Sequence, residues 1–519
     1  MRKKLLCVML VVILVASAVM MLACNGGGGG AGNANFEVPA GGYDGSAVTI
    51  KFYHTMGENL STVLENYITE FKALYPNITI EHEQVGNYDD VRNQVSTEIN
   101  VGAQPNIAYC YPDHVALYNV AGAVVQLDNL IASEEVVTRA DGTTEILGLT
   151  QAQKDDFIQG YYNEGKQFGD DKMYTMPLSK STEVLYYNKT FFDACAAIYT
   201  SDIALDLTGK PVYEVDEDGK VVMENGAPKT KPNPNKGNEN YNFSVPTTWD
   251  EMEAVCRKIK AIDPNSIPLG YDSEANWFIT MCEQLGSPYT SAEDGNHFLF
   301  NNDTNKAFVK RFRQWHQDGL VTTQEIYGSY TSGLFNAQTG TKSYMSIGSS
   351  AGATKQRPTK VDGAYPFDVG ITSIPQVNAN NPKVISQGPS LCIFGKENAQ
   401  EVVASWLFVK FLTTTPEFQA EFSIASGYVP VIKSVAQNKV YADHLAKANG
   451  GDQIAALSVK VCLEQEKAYY TSPAFNGSSQ ARDEVGALLV KCLGEKTNDV
   501  DALINQAFQD AIDECEYNS

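Results

Sequence analysis

From Val48 to Cys110 the chain alternates between two hydrophobic periods in an order that few architectures accept. Val48-Thr49-Ile50-Lys51-Phe52-Tyr53 alternates with the period of a strand. Leu60, Val63, Leu64, Tyr67, Ile68, Phe71 and Leu74 then recur with the period of a helix and stop before Pro76. Ile78-Thr79-Ile80 predicts a second strand, about 88–100 a second helix, and Ile107-Ala108-Tyr109-Cys110 a third strand. Strand, helix, strand, helix, strand is the order of a parallel α/β sheet.

The same texture continues downstream. Val184-Leu185-Tyr186-Tyr187 reads as a buried strand, and Thr248-Trp249-Asp250-Glu251 as a capping box that opens a helix to about Ala261. Helices also fit 304–317, 397–413 and 500–515. Residues 200–245 differ: Pro211–Val215, the turn Asp216-Glu217-Asp218-Gly219 and Lys220–Met223 spell a β-hairpin, followed by a Pro/Asn/Lys-rich loop, the whole read as a surface insertion. No internal repeat is evident.

Upstream, Arg2-Lys3-Lys4 precedes an apolar run from Leu5 to Ala23, the pattern of a secretory signal peptide over 1–23. Cys24 follows it directly and resembles the acylated cysteine of a bacterial lipoprotein. The Gly/Ala/Asn-rich stretch to residue 46 then reads as a flexible tether. An uncleaved membrane helix is the alternative for the apolar run. The 496 residues from Cys24 onward are too many for one core, so at least two lobes are expected. Without the three basic residues of the leader, the formal charge becomes −26 against −23 for the whole chain. Such a surface repels nucleic acid and anionic lipid, and no nucleic-acid partner is expected. Eight cysteines remain beyond Cys24, scattered from Cys110 to Cys515 with no C-x-x-C, which reads as mostly free buried thiols and not as a zinc or redox site.

No motif for a zinc hydrolase, a serine hydrolase, a nucleotide-binding loop or a full calcium loop is present, so no metal or cofactor is expected. Aromatic and small polar residues gather instead at the ends of the strands and at crossovers. They are Tyr53-His54, Trp277, Ser349-Ser350, Gly388-Pro389-Ser390, Gly427-Tyr428 and Asn476-Gly477. In open α/β sheets ligands bind beyond the carboxyl ends of strands. Ring faces with a few hydrogen-bonding groups suit a polyhydroxylated molecule.

The block Met176-Pro177-Leu178-Ser179-Lys180-Ser181-Thr182-Glu183-Val184-Leu185-Tyr186-Tyr187-Asn188-Lys189 resembles the crossover segment of family 1 extracellular solute-binding proteins, the carbohydrate-binding lipoproteins of ABC importers. Phe52–Met56, Gly86-Asn87-Tyr88, Pro246–Trp249, Gly388–Leu391 and Gly427–Val431 fall in the same order. Within that family the likeness is greatest to glycerol-3-phosphate-binding members. The resemblance implies an α/β, two-lobed periplasmic-binding-protein-like fold with a hinge and an interlobe cleft. It places lobe one at 47–177 and 345–387, and lobe two at 178–344 and 388–519.

It further implies a monomeric receptor on the extracytoplasmic face of the cell membrane, anchored by lipid (palmitate) on Cys24. The receptor would capture a carbohydrate for an ABC permease without catalysis. By the family pattern the binding residues are Tyr53, His54, Asp89, Ser181, Thr182, Trp277 as a stacking platform, Ser349, Ser350, Gly388, Tyr428 and Asn476. The glycerol-3-phosphate binders hold the phosphate with an arginine, and Ala474 stands in its place here. Arg482 is assigned to the surface, so a neutral mono- or oligosaccharide is expected, with glycerol-3-phosphate or a glycerophosphodiester as the alternative. A secreted glycoside hydrolase is the rival of another class, its paired carboxylates invisible to sequence. A surface adhesion protein with a flat exposed patch is a third.

Overall fold

The structure is a computed structural model that describes residues 35–293, 295–449 and 453–518. The leader and Cys24 lie outside the described residues. Among the described residues no helix is long and apolar enough to cross a membrane.

The first lobe starts with β1 (Val48–His54), α1 (Glu58–Leu74), β2 (Ile78–Gln84), α2 (Tyr88–Ile99), β3 (Ile107–Cys110) and α3 (Pro112–Asn119), in the order the hydrophobic periods predict. The chain returns through β4 (Met176–Pro177) and crosses over residues 178–180 into β5 (Ser181–Asn188) of a second sheet. There it builds α4 (Trp249–Ile262), β6 (Leu269–Tyr271), α5 (Glu274–Leu285), α6 (Asp303–Gln317), β7 (Val321–Thr323), β8 (Met345–Ser349), β9 (Val369–Ser373) and β10 (Val384–Gln387). Gly388 and Pro389 lead back to the first sheet, where β11 (Ser390–Ile393), α7 (Ala399–Thr414) and α8 (Pro416–Ser426) follow. The chain crosses last to α9 (Ile454–Glu464), β12 (Tyr469–Tyr470), α10 (Ser478–Gly494) and α11 (Val500–Asn518).

The first sheet has the order β2-β1-β3-β11-β4 and the second β7-β6-β8-β5-β10-β12, with β9 also on β5. The helices cover these sheets because their apolar stripes match. The α1 stripe buries Leu64, Tyr67 and Phe71, with Tyr67 edge-on to Phe418 at 5.2 Å and Phe71 to Phe408 at 5.1 Å. In the second lobe Thr248 caps α4 in the full capping box with Glu251. The helices there bury Trp249, Trp277, Phe312 and Trp315 against the sheet. Each such side chain gives roughly 1.5–3 kcal/mol on burial, and the core of lobe one continues into Val184, Tyr186 and Ile371 of the second sheet.

Three readings of the sequence are corrected here. Residues 345–387, expected in lobe one, stay in lobe two. Met345–Ser349 pairs antiparallel with Glu183–Tyr187 and parallel with Leu269–Tyr271, and Val369–Ser373 pairs with Val184–Asn188. Residues 390–426, expected in lobe two, belong to lobe one, since Ser390–Ile393 pairs with Ile107–Cys110. The chain therefore does not cross at Met345, and the crossing at Gly388 runs the other way. Residues 35–46, read as tether, lie against lobe one: Phe36 is buried in its core, and Asn129 Nδ2 donates to Phe36 O at 3.0 Å. The glycine-rich average of this stretch hides its few apolar anchors.

The insertion at 200–245 is an exposed β arm with the predicted turn. Val215 bridges Val221, and Asp216 Oδ1 accepts from the backbone of Asp218 and Lys220 at 3.0 and 2.9 Å, which occupies it as a turn carboxylate. The eight cysteines beyond Cys24 are free and buried.

The crossings at 178–180 and 388–389 and the segment at Val429 meet at Lys180. Its backbone exchanges hydrogen bonds with Val429 at 3.0 and 2.6 Å, and Leu178 N donates to Pro389 O at 3.1 Å. Its fully buried ammonium pairs with Glu164 and donates to Gly388 O at 3.2 Å and Ser390 Oγ at 3.1 Å. Gly388 has φ +99°, and a Cβ there would lie 2.5 Å from Ser179 O, so only glycine lets the two segments approach. Lys180→Met, which leaves the Glu164 carboxylate buried and unpaired, should destabilise the protein by about 3–5 kcal/mol in urea unfolding. The double change with Glu164→Leu should recover most of that loss. A double variant as unstable as the single one would remove the pair from this role.

Candidate functional site

A cavity of about 80 Å³ lies between the lobes beside this hinge. Lobe one contributes Tyr111, Pro112 and Asp113, at the carboxyl end of β3 where Pro112 starts α3, together with Glu164. Lobe two contributes Ile279 of α5, the loop residues Tyr289 and Thr290, the end of β10 at Ile385–Gln387, the segment Thr471-Ser472-Pro473, and Ser478 and Arg482 of α10.

Tyr111 is the aromatic residue of the lobe-one wall, and further rings pack behind it. Tyr88 stacks near Tyr111 with ring centroids 4.6 Å apart and lies almost parallel to Tyr109 at 6.2 Å. Its hydroxyl is 3.4 Å from that of Tyr428. Burial pushes the phenols of Tyr88 and Tyr109 well above their ordinary value, so they remain O–H donors. The lobe-two wall carries buried hydroxyls with no hydrogen-bond partner among the described residues: Tyr289 OH, Thr290 Oγ1 and Ser386 Oγ. A buried hydroxyl left unpaired is costly, so these three are available to pair with a solute or a water.

Arg482 is the cation of the cavity lining, and a buried network orients it. Its guanidinium donates to Asn276 Oδ1, which also accepts from Gln387 Nε2 at 3.2 Å. Asn276 Nδ2 donates to Glu183 Oε1 at 3.0 Å, and Tyr271 OH donates to Glu183 Oε2 at 2.6 Å. Burial lifts the Glu183 carboxyl to about 7, against the pull of these two bonds and of Arg482. At the mouth the lobes touch: Arg92 of α2 donates to Ser479 Oγ at 2.6 Å and lies 3.3 Å from Asp483 Oδ2, both on α10.

None of the residues picked from the sequence lines this cavity. Trp277, expected as a platform, is sandwiched between Tyr271 at 4.9 Å and Phe312 at 4.1 Å and leaves no face for a ligand. Tyr53 is fully buried and donates to Glu98 at 3.0 Å. His54 is buried too: its Nδ1 accepts from Met56 N at 3.1 Å, which directs its Nε2–H at His82 Nδ1, 2.8 Å away. Burial lowers its pKa to about 4.

Thr182, Ser350, Ser349 and Gly388 brace the hinge side: Thr182 N donates to Ser350 Oγ at 3.1 Å and Tyr186 OH to Ser349 O at 2.8 Å. Ser181 is buried opposite Gln387 in the β5–β10 register. Asp89 is exposed beside Arg92, Asn476 is exposed on the turn before α10, and Tyr428 lies behind the wall with its hydroxyl near that of Tyr88. Arg482 is the clearest correction, since the sequence reading sent it to the surface. Tyr111 was within reach of sequence reasoning, as it directly follows β3.

The sequence matches the family described as bacterial extracellular solute-binding protein over residues 66–449. The chain belongs to that family. Among its relatives, the sn-glycerol-3-phosphate-binding periplasmic protein UgpB of Escherichia coli K12 is 21% identical over 398 residues, 75% of each chain. The solved structure of UgpB from Mycobacterium tuberculosis in complex with glycerophosphocholine superposes with TM-score 0.63 at 16% identity, covering 91% of this chain and 98% of that one. The cyclic alpha-maltosyl-1,6-maltose binding protein from Arthrobacter globiformis gives TM-score 0.61 at 17% identity, covering 91% and 100%. The solute-binding family is thus shown by sequence, and the two-lobed fold by structure.

Glu183 gives this solute-binding protein a testable pH dependence. Between about 4.5 and about 7 the folded chain keeps on Glu183 a proton that the unfolded chain has released. Stability is therefore lost as pH rises through that window and is level above it. The penalty is on the order of 3 kcal/mol. The amide of Glu183→Gln brings a constant offset but no such slope. In urea unfolding its stability relative to wild type should rise by about that amount between roughly pH 4.5 and 7.5. Parallel pH curves for the two proteins would contradict the assignment.

Proposed function

We propose that the chain is the solute-capture component of an ABC importer. It takes a small polyhydroxylated solute into the interlobe cleft and presents it to the permease, held at the extracytoplasmic face of the membrane by lipid on Cys24. The observation that carries this reading is the cavity itself, bounded by both lobes, with Tyr111 on one side and, on the other, the hydroxyls of Tyr289, Thr290 and Ser386, which lack a partner among the described residues. Sugar C–H faces pack on a tyrosine ring while hydroxyls pair with such groups. Catalysis is disfavoured by the lining: of its carboxylates, Asp113 and Glu164, the second is held in the buried pair with Lys180. A hydrolase needs both acids available.

The first reading of the solute is a neutral carbohydrate. Arg482 favours a second one, a glycerophosphodiester, because a guanidinium in the cavity removes the electrostatic objection to a buried phosphate. A thermal-shift panel of neutral sugars, glycerol-3-phosphate and glycerophosphocholine on wild type and Arg482→Gln separates them. A neutral sugar should stabilise both proteins with affinities within a few-fold. A phosphate ligand should lose about 100-fold or more in the variant, the scale of a lost charge-assisted pair. Stoichiometric turnover of any member of the panel would sink the receptor reading, as would saturable binding unchanged by Tyr111→Ala.

A further inference from the structure

Behind Arg482 stands a carboxyl that does not reach the cavity. Glu183 of β5 is 1% exposed, and Asn276 of α5 lies between it and the guanidinium. Asn276 is buried too, and its amide has one workable orientation. Arg482 can only donate, so Asn276 Oδ1 accepts from it and from Gln387, which leaves Nδ2 to donate to Glu183 Oε1. The guanidinium thus rests on a neutral amide, with the carboxyl one side chain further back. The other groups facing Glu183 are Tyr271, Tyr470 of β12, and Asp272 just past β6, which Thr331 holds through N and Oγ1 at 2.7 and 2.6 Å. Of the two charged neighbours, Arg482 lines the cavity and Asp272 does not.

We propose that Asn276 is a positioning residue that ties capture of an anionic solute to a proton: when the solute's charge pairs with Arg482, Glu183 takes up one proton from solvent. The proposal rests on the reading of the cleft as a capture site for a solute held by Arg482. Before capture the guanidinium favours the Glu183 carboxylate across the amide. A solute anion cancels that field and adds one of the opposite sign, and burial leaves little water to screen either. The carboxylate is then buried without a counter-charge, and protonation removes that cost. With Oε1 accepting from Asn276, the proton sits on Oε2. The bond to Tyr271 reverses, Glu183 donating and the phenol oxygen accepting. Linkage is reciprocal, so protonated Glu183 raises the affinity of the site for the anion. The free carboxyl titrates at about 7, which places the effect near neutral pH.

Calorimetry of the full chain near neutral pH, in buffers of different ionisation enthalpy, counts the protons. Glycerophosphoglycerol and galacturonate keep a fixed charge there and separate a phosphate from a carboxylate, with maltose and galactose as neutral probes. The expected result is uptake of on the order of half a proton per anion bound, with none for a neutral sugar. The anion's Kd should weaken about tenfold from about pH 5.5 to 8.5, the effect of one pKa unit. Glu183→Gln should bind with no proton uptake and a Kd flat to within about twofold over that range. Asn276→Asp, of the same shape, sets a carboxylate on Arg482 and should weaken the anion at least about 30-fold. Melting temperatures show whether each variant is folded, and Glu183→Gln carries the test if Asn276→Asp is not. Anion binding without proton uptake, a pH slope that Glu183→Gln keeps, or an anion affinity unchanged in folded Asn276→Asp overturns the proposal and leaves the capture reading in place. Saturable binding of the neutral sugars alone does the same. Binding of nothing in the panel overturns both.

Discussion

The geometry of the molecule turns on one buried ion pair. Lys180 and Glu164 have almost no solvent exposure, and Lys180 lies on one crossing, reaches Gly388 and Ser390 of another, and pairs through its backbone with Val429. A buried pair is seldom a strong source of stability, because desolvating two charges offsets most of their attraction. Its effect is directional. An ammonium that must satisfy Glu164, Gly388 O and Ser390 Oγ together fixes how the crossings stack, and the absent side chain of Gly388 lets them come that close. Glu164 also lines the cavity, so the hinge and the floor of the site share one carboxylate.

From that floor the two walls acquire different chemistry. Lobe one presents the ring of Tyr111, with Tyr88, Tyr109 and Tyr428 packed behind it at the end of the first sheet. Lobe two presents hydrogen-bonding groups, with Arg482 fixed by Asn276 and, behind it, by Glu183. Ring faces exclude water from one side of a solute while polar groups read the other, a division that becomes effective only when the lobes approach. Arg92 reaching Ser479 and Asp483 shows the lobes already in contact at the mouth. Hinge closure around a ligand is the motion such two-lobed proteins use.

The local elements were legible in the sequence because their signals are local. The period of Leu64, Tyr67 and Phe71, the Thr248–Glu251 box and the Asp216–Gly219 turn all stand where the pattern puts them. The lobe assignment of 345–426 was not legible. Met345–Ser349 and Ser390–Ile393 are similar short apolar strands, and which sheet each joins depends on pairing across more than a hundred residues. The site fared worst, for the same reason. Trp277 has the composition of a ligand platform, but Tyr271 and Phe312 cover its faces, and neither contact has a sequence signature. Arg482 is one charge on a helix, indistinguishable from a solvated one until α10 is seen to start at the cleft.

The central claim is that a solute is held between the lobes, with closure about the crossings at Lys180. Hydrogen–deuterium exchange of the full chain, with and without a saturating solute, tests it most directly. Slowed exchange should appear together in 111–114 of lobe one, in 385–390 and 471–482 of lobe two, and across 178–180. Protection confined to a single lobe, or to the exposed arm at 200–245, would contradict it.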